Sequence, residues 1–250
     1  MKFAFDLSGK RAVITGGASG IGKAIAETLR AHGAVTTIID LHAQEGVLQS
    51  EAPMCYGVQA DLSCRDACRD AMTAAIRCMG GVDILVNCAG IIRREDAENF
   101  SEKDWDEVIN LNLSTTFVMC QLAGREMIRQ GHGKIINIAS MNAFDGGKRI
   151  CSYAASKGAV VLLTKSLTNE WCGKGVNINA IAPGYIETPI NTFYRTPEGS
   201  EAQAAITARI PKGRWGTPAD IAGTALFLAS DAADYVSGAV IPVDGGYQAN

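Results

Sequence analysis

Tyr153 and Lys157 stand four residues apart in C-S-Y-A-A-S-K-G-A-V (151–160), a run otherwise made of small residues. On a helix, positions i and i+4 share a face one turn apart. A free phenol has a pKa near 10, too high to exchange protons at neutral pH. Lowering it by ~2–3 units requires roughly 3–4 kcal/mol. One ammonium at ~4 Å supplies about that at an effective dielectric near 20. The pair is therefore a candidate proton-transfer unit, although in isolation an exposed lysine beside a half-buried tyrosine is the better account of the spacing.

A second chemical pattern lies near the N-terminus. Thr15-Gly-Gly-Ala-Ser-Gly-Ile-Gly22 follows an apolar run, Arg11 to Thr15, and opens a helical pattern, Ile21 to His32. Backbone N–H groups at a helix N-terminus attract phosphate, and glycines admit the pyrophosphate closely. The spacing, Gly16-x3-Gly20-x-Gly22, is not G-x-G-x-x-G, so the strand–turn–helix context carries the reading. It places Gly16, Ser19, Gly20, Ile21 and Gly22 at a dinucleotide. Asp40 ends the next apolar run and can accept hydrogen bonds from the adenosine ribose hydroxyls. It would repel a 2′-phosphate, and no Lys or Arg stands at 37–44 to compensate. The expected cofactor is NAD. Asp61 and Leu62 are placed near the adenine, and Asn87, Ala89 and Gly90 where the cofactor passes.

The elements that must hold these groups alternate. Strand patterns fall at 11–15, 34–40, 55–60, 82–86, 134–138, 176–181 and 239–243, and helical patterns at 21–32, 66–79, 102–130, 152–171 and 219–229. Strands apolar on nearly every residue suit a parallel sheet buried on both faces. The expected fold is α/β, a doubly wound, Rossmann-like parallel sheet of about seven strands. No linker splits the chain, so residues 1–250 are expected to form a single dinucleotide-binding and catalytic domain. Residues 188–215 break the rhythm with Pro189, Pro197 and Pro211 and are expected to be a small substrate-covering insertion, since ligands bind at the carboxyl ends of the strands.

Composition narrows the classes. A net charge of −3 gives no basic footprint for nucleic acid. No apolar run approaches the ~18 residues of a membrane span, and the N-terminus lacks a signal-peptide pattern. The eight cysteines are scattered, which suits buried free thiols and a cytoplasmic location. Cys64-x3-Cys68 has no second pair to complete it, so no metal site is expected.

Thr15–Gly22, Asn87-Cys-Ala-Gly90, Asn112, Ser140, Tyr153-Ala-Ala-Ser-Lys157 and Pro183-Gly184 occur in an order that resembles the short-chain dehydrogenase/reductase family over essentially the whole chain. Cys88 departs from the pattern, where the family more often has a second Asn. The resemblance implies a catalytic group of Asn112, Ser140, Tyr153 and Lys157, with hydride moving to or from a nicotinamide while Tyr153 passes a proton. It implies that the asparagine disturbs its helix; Asn110 is the competing position. It also places Tyr153, Lys157, Pro183, Gly184, Ile186 and Thr188 on the cofactor, and a homotetramer is the usual assembly.

Gly90–Ala97, Ser101–Trp105, Gly133–Met141, Asn169–Trp171, Asn179–Tyr185 and Arg209–Trp215 resemble one branch more closely, the 2-dehydro-3-deoxy-D-gluconate 5-dehydrogenases. That resemblance implies a sugar-acid substrate. Such a substrate needs a cation for its carboxylate and polar groups for its hydroxyls. Arg94 and Arg149 are the leading cations, with Arg93 and Lys148 beside them. Asn142, Tyr185 and Asn191 are candidates for hydroxyls, and Trp215 for a pocket wall. A polyol dehydrogenase or 3-oxoacyl reductase on the same scaffold is the alternative, and a non-catalytic NAD-binding sensor a minor one. Cys151 and Phe144 have no assigned role.

Overall fold

The computed structural model describes residues 5–249. The elements run β1 (Arg11–Thr15), α1 (Gly20–Ala31), β2 (Val35–Asp40), β3 (Gly46–Gln49), β4 (Cys55–Gln59), α2 (Arg65–Met79), β5 (Ile84–Asn87), α3 (Glu102–Ile109), α4 (Thr115–Gln130), β6 (Gly133–Ile138), a short α5 (Asn142–Asp145), α6 (Cys151–Trp171), β7 (Val176–Pro183), α7 (Ser200–Ala208), α8 (Pro218–Ala229) and β8 (Val240–Val243). The strands form one sheet in the order β3-β4-β2-β1-β5-β6-β7-β8. All pairings are parallel except β3 with β4. The eighth strand is the one that the apolar pattern misses. β3 is a four-residue edge strand whose Val47 and Leu48 are exposed, so it lacks the signature of a buried strand.

Successive side chains of a strand point to opposite faces, and the core divides accordingly. Ile14, Ile84, Val86 and Ile136 pack on one face beneath α1 and α8. Val13, Leu85, Ile135 and Ile178 pack on the other beneath α2 and α4. α1 turns Gly22, Ile25, Ala26 and Leu29 to the sheet, the helical i, i+3, i+4, i+7 spacing. Among the described residues, no helix is long and apolar enough to cross a membrane.

The chain leaves β1 toward β2 and β4 on one side and resumes at β5 on the other. The carboxyl ends of β1 and β5 therefore flank a crevice, the switch point where such sheets bind ligands.

The helical pattern 102–130 is not one α-helix. Residues Asn110–Ser114 form a π turn between α3 and α4. The polar run explains it. Asn112 turns its amide to the backbone of Ile91, Thr115 Oγ1 donates to the Leu62 carbonyl at 2.6 Å, and Thr116 Oγ1 donates to the Asn112 carbonyl at 2.8 Å. Side chains that compete for backbone groups favour such a widened turn. The segment 188–215 is less irregular than its prolines suggest: 3-10 turns at Pro189–Arg195 and Pro197–Gly199 lead into α7.

Candidate active site

Two cavities open at the carboxyl edge of the sheet. The first, about 380 Å³, runs along the crevice. Gly16 follows β1 there with φ 66°, a left-handed conformation suited to glycine. A Cβ on it would lie 2.8 Å from the Ala89 nitrogen, and one on Gly22 would lie 2.2 Å from the Gly16 oxygen. The loops after β1 and β5 therefore touch only because side chains are absent. Ser19, Gly20, Ile21 and Gly22 present the start of α1 to the cavity, and Ser19 makes no side-chain cap. The first-turn N–H groups are thus left for an acceptor in the cavity. At the far end Asp40 accepts from the N–H groups of Ala18 (3.1 Å) and His42 (2.9 Å). Asp61 lies beside it, held below the usual carboxylate range by the Ser63 hydroxyl and N–H. Helix N–H donors, a ribose-type acceptor and a long slot fit a dinucleotide.

Of the cofactor residues expected from sequence, Gly16, Ser19, Gly20, Ile21, Gly22, Asp40, Asp61, Leu62, Ala89, Gly90, Tyr153, Lys157, Pro183, Gly184, Ile186 and Thr188 line this cavity. Asn87 does not, and that expectation is corrected. Its side chain turns into the sheet, where Nδ2 donates to Asn137 Oδ1 (2.9 Å) and approaches Cys120 Sγ. Asn137 in turn donates to Thr164 Oγ1 on α6 (2.9 Å). Leu41, His42, Ile138 and Pro189 are wall residues that sequence reasoning did not assign, and Cys88 lies on the wall beside them. Burial pushes the Cys88 thiol up to about 12, so it stays protonated.

The second cavity, about 710 Å³, meets the first at Ser140, Tyr153, Gly184, Ile190 and Asn191. Tyr153 projects from the first turn of α6 and Ser140 follows β6. The Ser140 hydroxyl hydrogen-bonds the phenol and also accepts from the Asn142 N–H at 3.1 Å. Lys157 is buried, its Nζ donating to the Ile138 carbonyl at 2.6 Å and lying 5.7 Å from the Tyr153 ring centroid. Asn112 is fully buried. Its amide accepts from Ile91 N–H and donates to Ile91 O, both at 2.9 Å, and donates to Ser156 Oγ at 3.1 Å. A Cβ on Gly90 would lie 3.1 Å from Asn112 Oδ1 and 3.7 Å from Lys157 Nζ, so the two side chains flank the same glycine. Asn110 instead donates to the Ser63 carbonyl and faces away from this group.

The charges correct one expectation. The phenol is pushed up by burial; the Ser140 hydrogen bond and the Arg94 charge pull against that. Burial pulls Lys157 down to about 8. Burial is the largest cause in both groups, and the charge that pulls the phenol down is that of Arg94 rather than Lys157, so the lysine alone does not make the phenol acidic.

Arg94, Asn142, Lys148, Tyr185 and Asn191 line the second cavity. Arg149 does not: it points outward to Glu95 and Asp96. Arg93 pairs with Glu107 at 3.0 Å and Asp104 at 3.4 Å. Trp215 is buried under Tyr185, with ring centroids 5.1 Å apart, rather than forming the wall. Arg209, which stacks on Tyr247 at 4.5 Å, and Gln248 complete a wall that sequence reasoning missed. Cys151 is half-buried at the start of α6 and Phe144 is exposed on α5.

A dinucleotide slot abutting a polar, cation-lined chamber, with a phenol on the common wall, suits transfer of a hydride in one chamber coupled to a proton in the other. Comparison with known proteins agrees with that chemistry. A family model described as enoyl-(acyl carrier protein) reductase, within the short-chain dehydrogenase/reductases, matches residues 16–248. The chain is 46% identical to the 2-dehydro-3-deoxy-D-gluconate 5-dehydrogenase of Bacillus subtilis (strain 168), covering 98% of this chain and 96% of the relative. It is also 46% identical to the enzyme of that name from Escherichia coli (strain K12), covering 98% of each. A crystal structure from Agrobacterium tumefaciens, provisionally named a 2-deoxy-D-gluconate 3-dehydrogenase and holding NADP, is 44% identical with a TM-score of 0.90 over 100% of both chains. With near-full-length identity at this level and a sheet whose crevice carries the matching motifs, the chain belongs to the short-chain dehydrogenase/reductase family and is an NAD(P)-dependent oxidoreductase.

Proposed function

We propose that this protein is a 2-dehydro-3-deoxy-D-gluconate 5-dehydrogenase that uses NAD. The observation that carries the reading is the common wall: Ser140 and Tyr153 face both the dinucleotide slot and a chamber lined by Arg94, Lys148 and Arg209. The names of the relatives supply the particular sugar acid. The dinucleotide, when bound, gives or takes the hydride at its nicotinamide and, when oxidised, carries a positive ring. The protein's own groups handle the oxygen. Ser140 holds the substrate oxygen, and Tyr153 Oη donates a proton to it in reduction or accepts one in oxidation. Lys157, drawn down to about 8, exchanges protons near neutral pH, and Asn112 fixes the backbone of Ile91 beside it. Because burial favours the neutral phenol, the resting site is set for reduction, and oxidation quickens as pH rises.

NAD is favoured over NADP because Asp40 and Asp61 stand at the adenosine end and, among the described residues, the only Lys or Arg side chain on this cavity is Lys157. The assembly is a homotetramer. Trp105, Phe117 and Leu162 on α3, α4 and α6 are exposed apolar side chains suited to pairing between copies. Light scattering tests this, and a monomeric mass refutes it. Eight free cysteines suit a reducing, cytoplasmic setting.

The function is tested by following NADH absorbance with uronate-derived keto acids, polyols and acyl thioesters. The sugar acid is expected to give the highest kcat/KM. A higher value for a polyol or a thioester overturns the substrate reading.

A further inference from the structure

Loop 91–96 leaves the crevice and enters the substrate chamber, and nearly every residue on it is tied down. Ile91 is held at both N–H and carbonyl by the Asn112 amide, at 2.9 Å each. Arg93 pairs backward with Glu107 and Asp104 on α3. Glu95 N–H donates to the Arg149 carbonyl at 3.0 Å. The Arg149 guanidinium meets Glu95 Oε1 at 3.5 Å and Asp96 Oδ1 at 3.3 Å. Arg94 stands between these anchors. It has no hydrogen-bond or ion-pair partner among the described residues, and it lines the chamber.

Arg149 is itself unusual. Among the described residues it is the one non-glycine with positive φ, at 64°. An L-residue adopts that region at a cost. The kink lets Lys148 and Ile150 line the chamber while the Arg149 side chain turns outward to the loop. Two arginines that look equivalent in sequence thus divide the work.

We propose that Arg94 binds the carboxylate of the substrate and that Arg149 is its positioning residue, clasping Glu95 and Asp96 so that the Arg94 guanidinium is presented to the chamber in advance. Preorganising a cation lowers the ordering cost of binding and, if the clasp holds the ground and transition states alike, acts on KM rather than kcat. The assignment rests on the sugar-acid reading above.

The test compares the sugar acid with its neutral carboxamide at saturating NADH, using full-length protein whose folding is checked by melting temperature. The wild type should favour the acid. Arg94→Ala should raise KM for the acid about 10- to 100-fold, the range of a lost charge-assisted pair, and leave KM for the carboxamide unchanged. Arg149→Ala should raise KM for the acid about three- to tenfold, with kcat held within about twofold. The Glu95→Gln/Asp96→Asn double variant, which opens the clasp from the other side, should reproduce Arg149→Ala. Arg94→Ala/Arg149→Ala should be no worse than Arg94→Ala alone, because the clasp acts through Arg94. Additive losses, or equal effects on acid and carboxamide, overturn the positioning role. An unchanged KM in Arg94→Ala, with the wild type still favouring the acid, overturns the Arg94 assignment and spares the sugar-acid reading. A wild type indifferent to the two substrates defeats that reading and this assignment with it.

Discussion

The two ends of the sheet treat their polar groups in opposite ways. At the amino end, Asp83 accepts from Arg11 N–H (2.8 Å), Nε (2.7 Å) and a terminal guanidinium nitrogen (2.7 Å), and meets His132 Nε2 at 2.9 Å. Arg11 also donates to the Gly80 carbonyl and Gln130, and Gln130 to the Val82 carbonyl. Each polar group there is satisfied by the protein. At the carboxyl end, the first turn of α1, Asp40, Tyr153 and Arg94 face open cavities. One end closes the fold and the other keeps bonding capacity for ligands, so stability and activity are separable by mutation.

The sharpest break is at the carboxyl end. Tyr153→Phe should lower turnover by roughly 10²–10⁴-fold, the worth of a positioned proton-transfer group. NADH binding by fluorescence and the melting temperature should hold. Substantial residual turnover would remove Tyr153 from its role.

At the amino end, Asp83→Ala should destabilise by about 2–3 kcal/mol, less than for a fully buried pair because Arg11 can rehydrate. Denaturant midpoints measure this, and kcat in native buffer should be unchanged. Although burial works the other way, the Arg11 hydrogen bonds hold the Asp83 carboxyl below its usual range. Its contribution is therefore present above the unfolded-state value and lost as pH falls. The gap between wild type and variant should narrow below about pH 4.

Lys157→Met tests whether a site residue acts against stability. A lysine whose folded pKa is drawn down to about 8 carries a burial penalty in full below that pH. The penalty fades as pH rises toward the unfolded value. The variant should be more stable at pH 7 by about 1–2 kcal/mol, after the lost bond to the Ile138 carbonyl is allowed for, and the gain should shrink above pH 8. Turnover should fall steeply. A less stable variant at pH 7 would contradict this account.

The smallest effect concerns the cofactor. Asp40→Asn should shift the ratio of kcat/KM with the two cofactors toward NADP by about tenfold, since it removes one charge that would repel a 2′-phosphate. An unchanged ratio would place selectivity elsewhere.

The same contrast sets what could be read from the sequence. The wall of the first cavity is made by strand ends and one glycine turn, so contiguous motifs report it, and Asp40 can be found by counting from Gly22. Asn87 was misplaced because the chain bends after β5: Cys88 and Ala89 reach the cavity while the Asn87 amide is drawn to Asn137. The wall of the second cavity gathers Arg94, Lys148, Arg209, Tyr247 and Gln248 from four distant segments. No local spacing links them, and nothing in Lys148-Arg149-Ile150 announces a left-handed residue that sends the arginine outward. The sequence offers Trp215 as a pocket wall, but Tyr185 and Tyr194 stack over it and bury it.

The widened turn at Asn110–Ser114 has a further consequence. Five residues closing where about four would do shifts the phase of everything downstream by about 100°. The stripe Met119, Cys120, Ala123 and Met127 meets the sheet only in that shifted phase. Deleting one residue there would swing this stripe toward solvent while tearing the Asn112 amide from Ile91. The segment can exchange side chains, but its length is locked by two clients at once, like a gear tooth shared by two wheels.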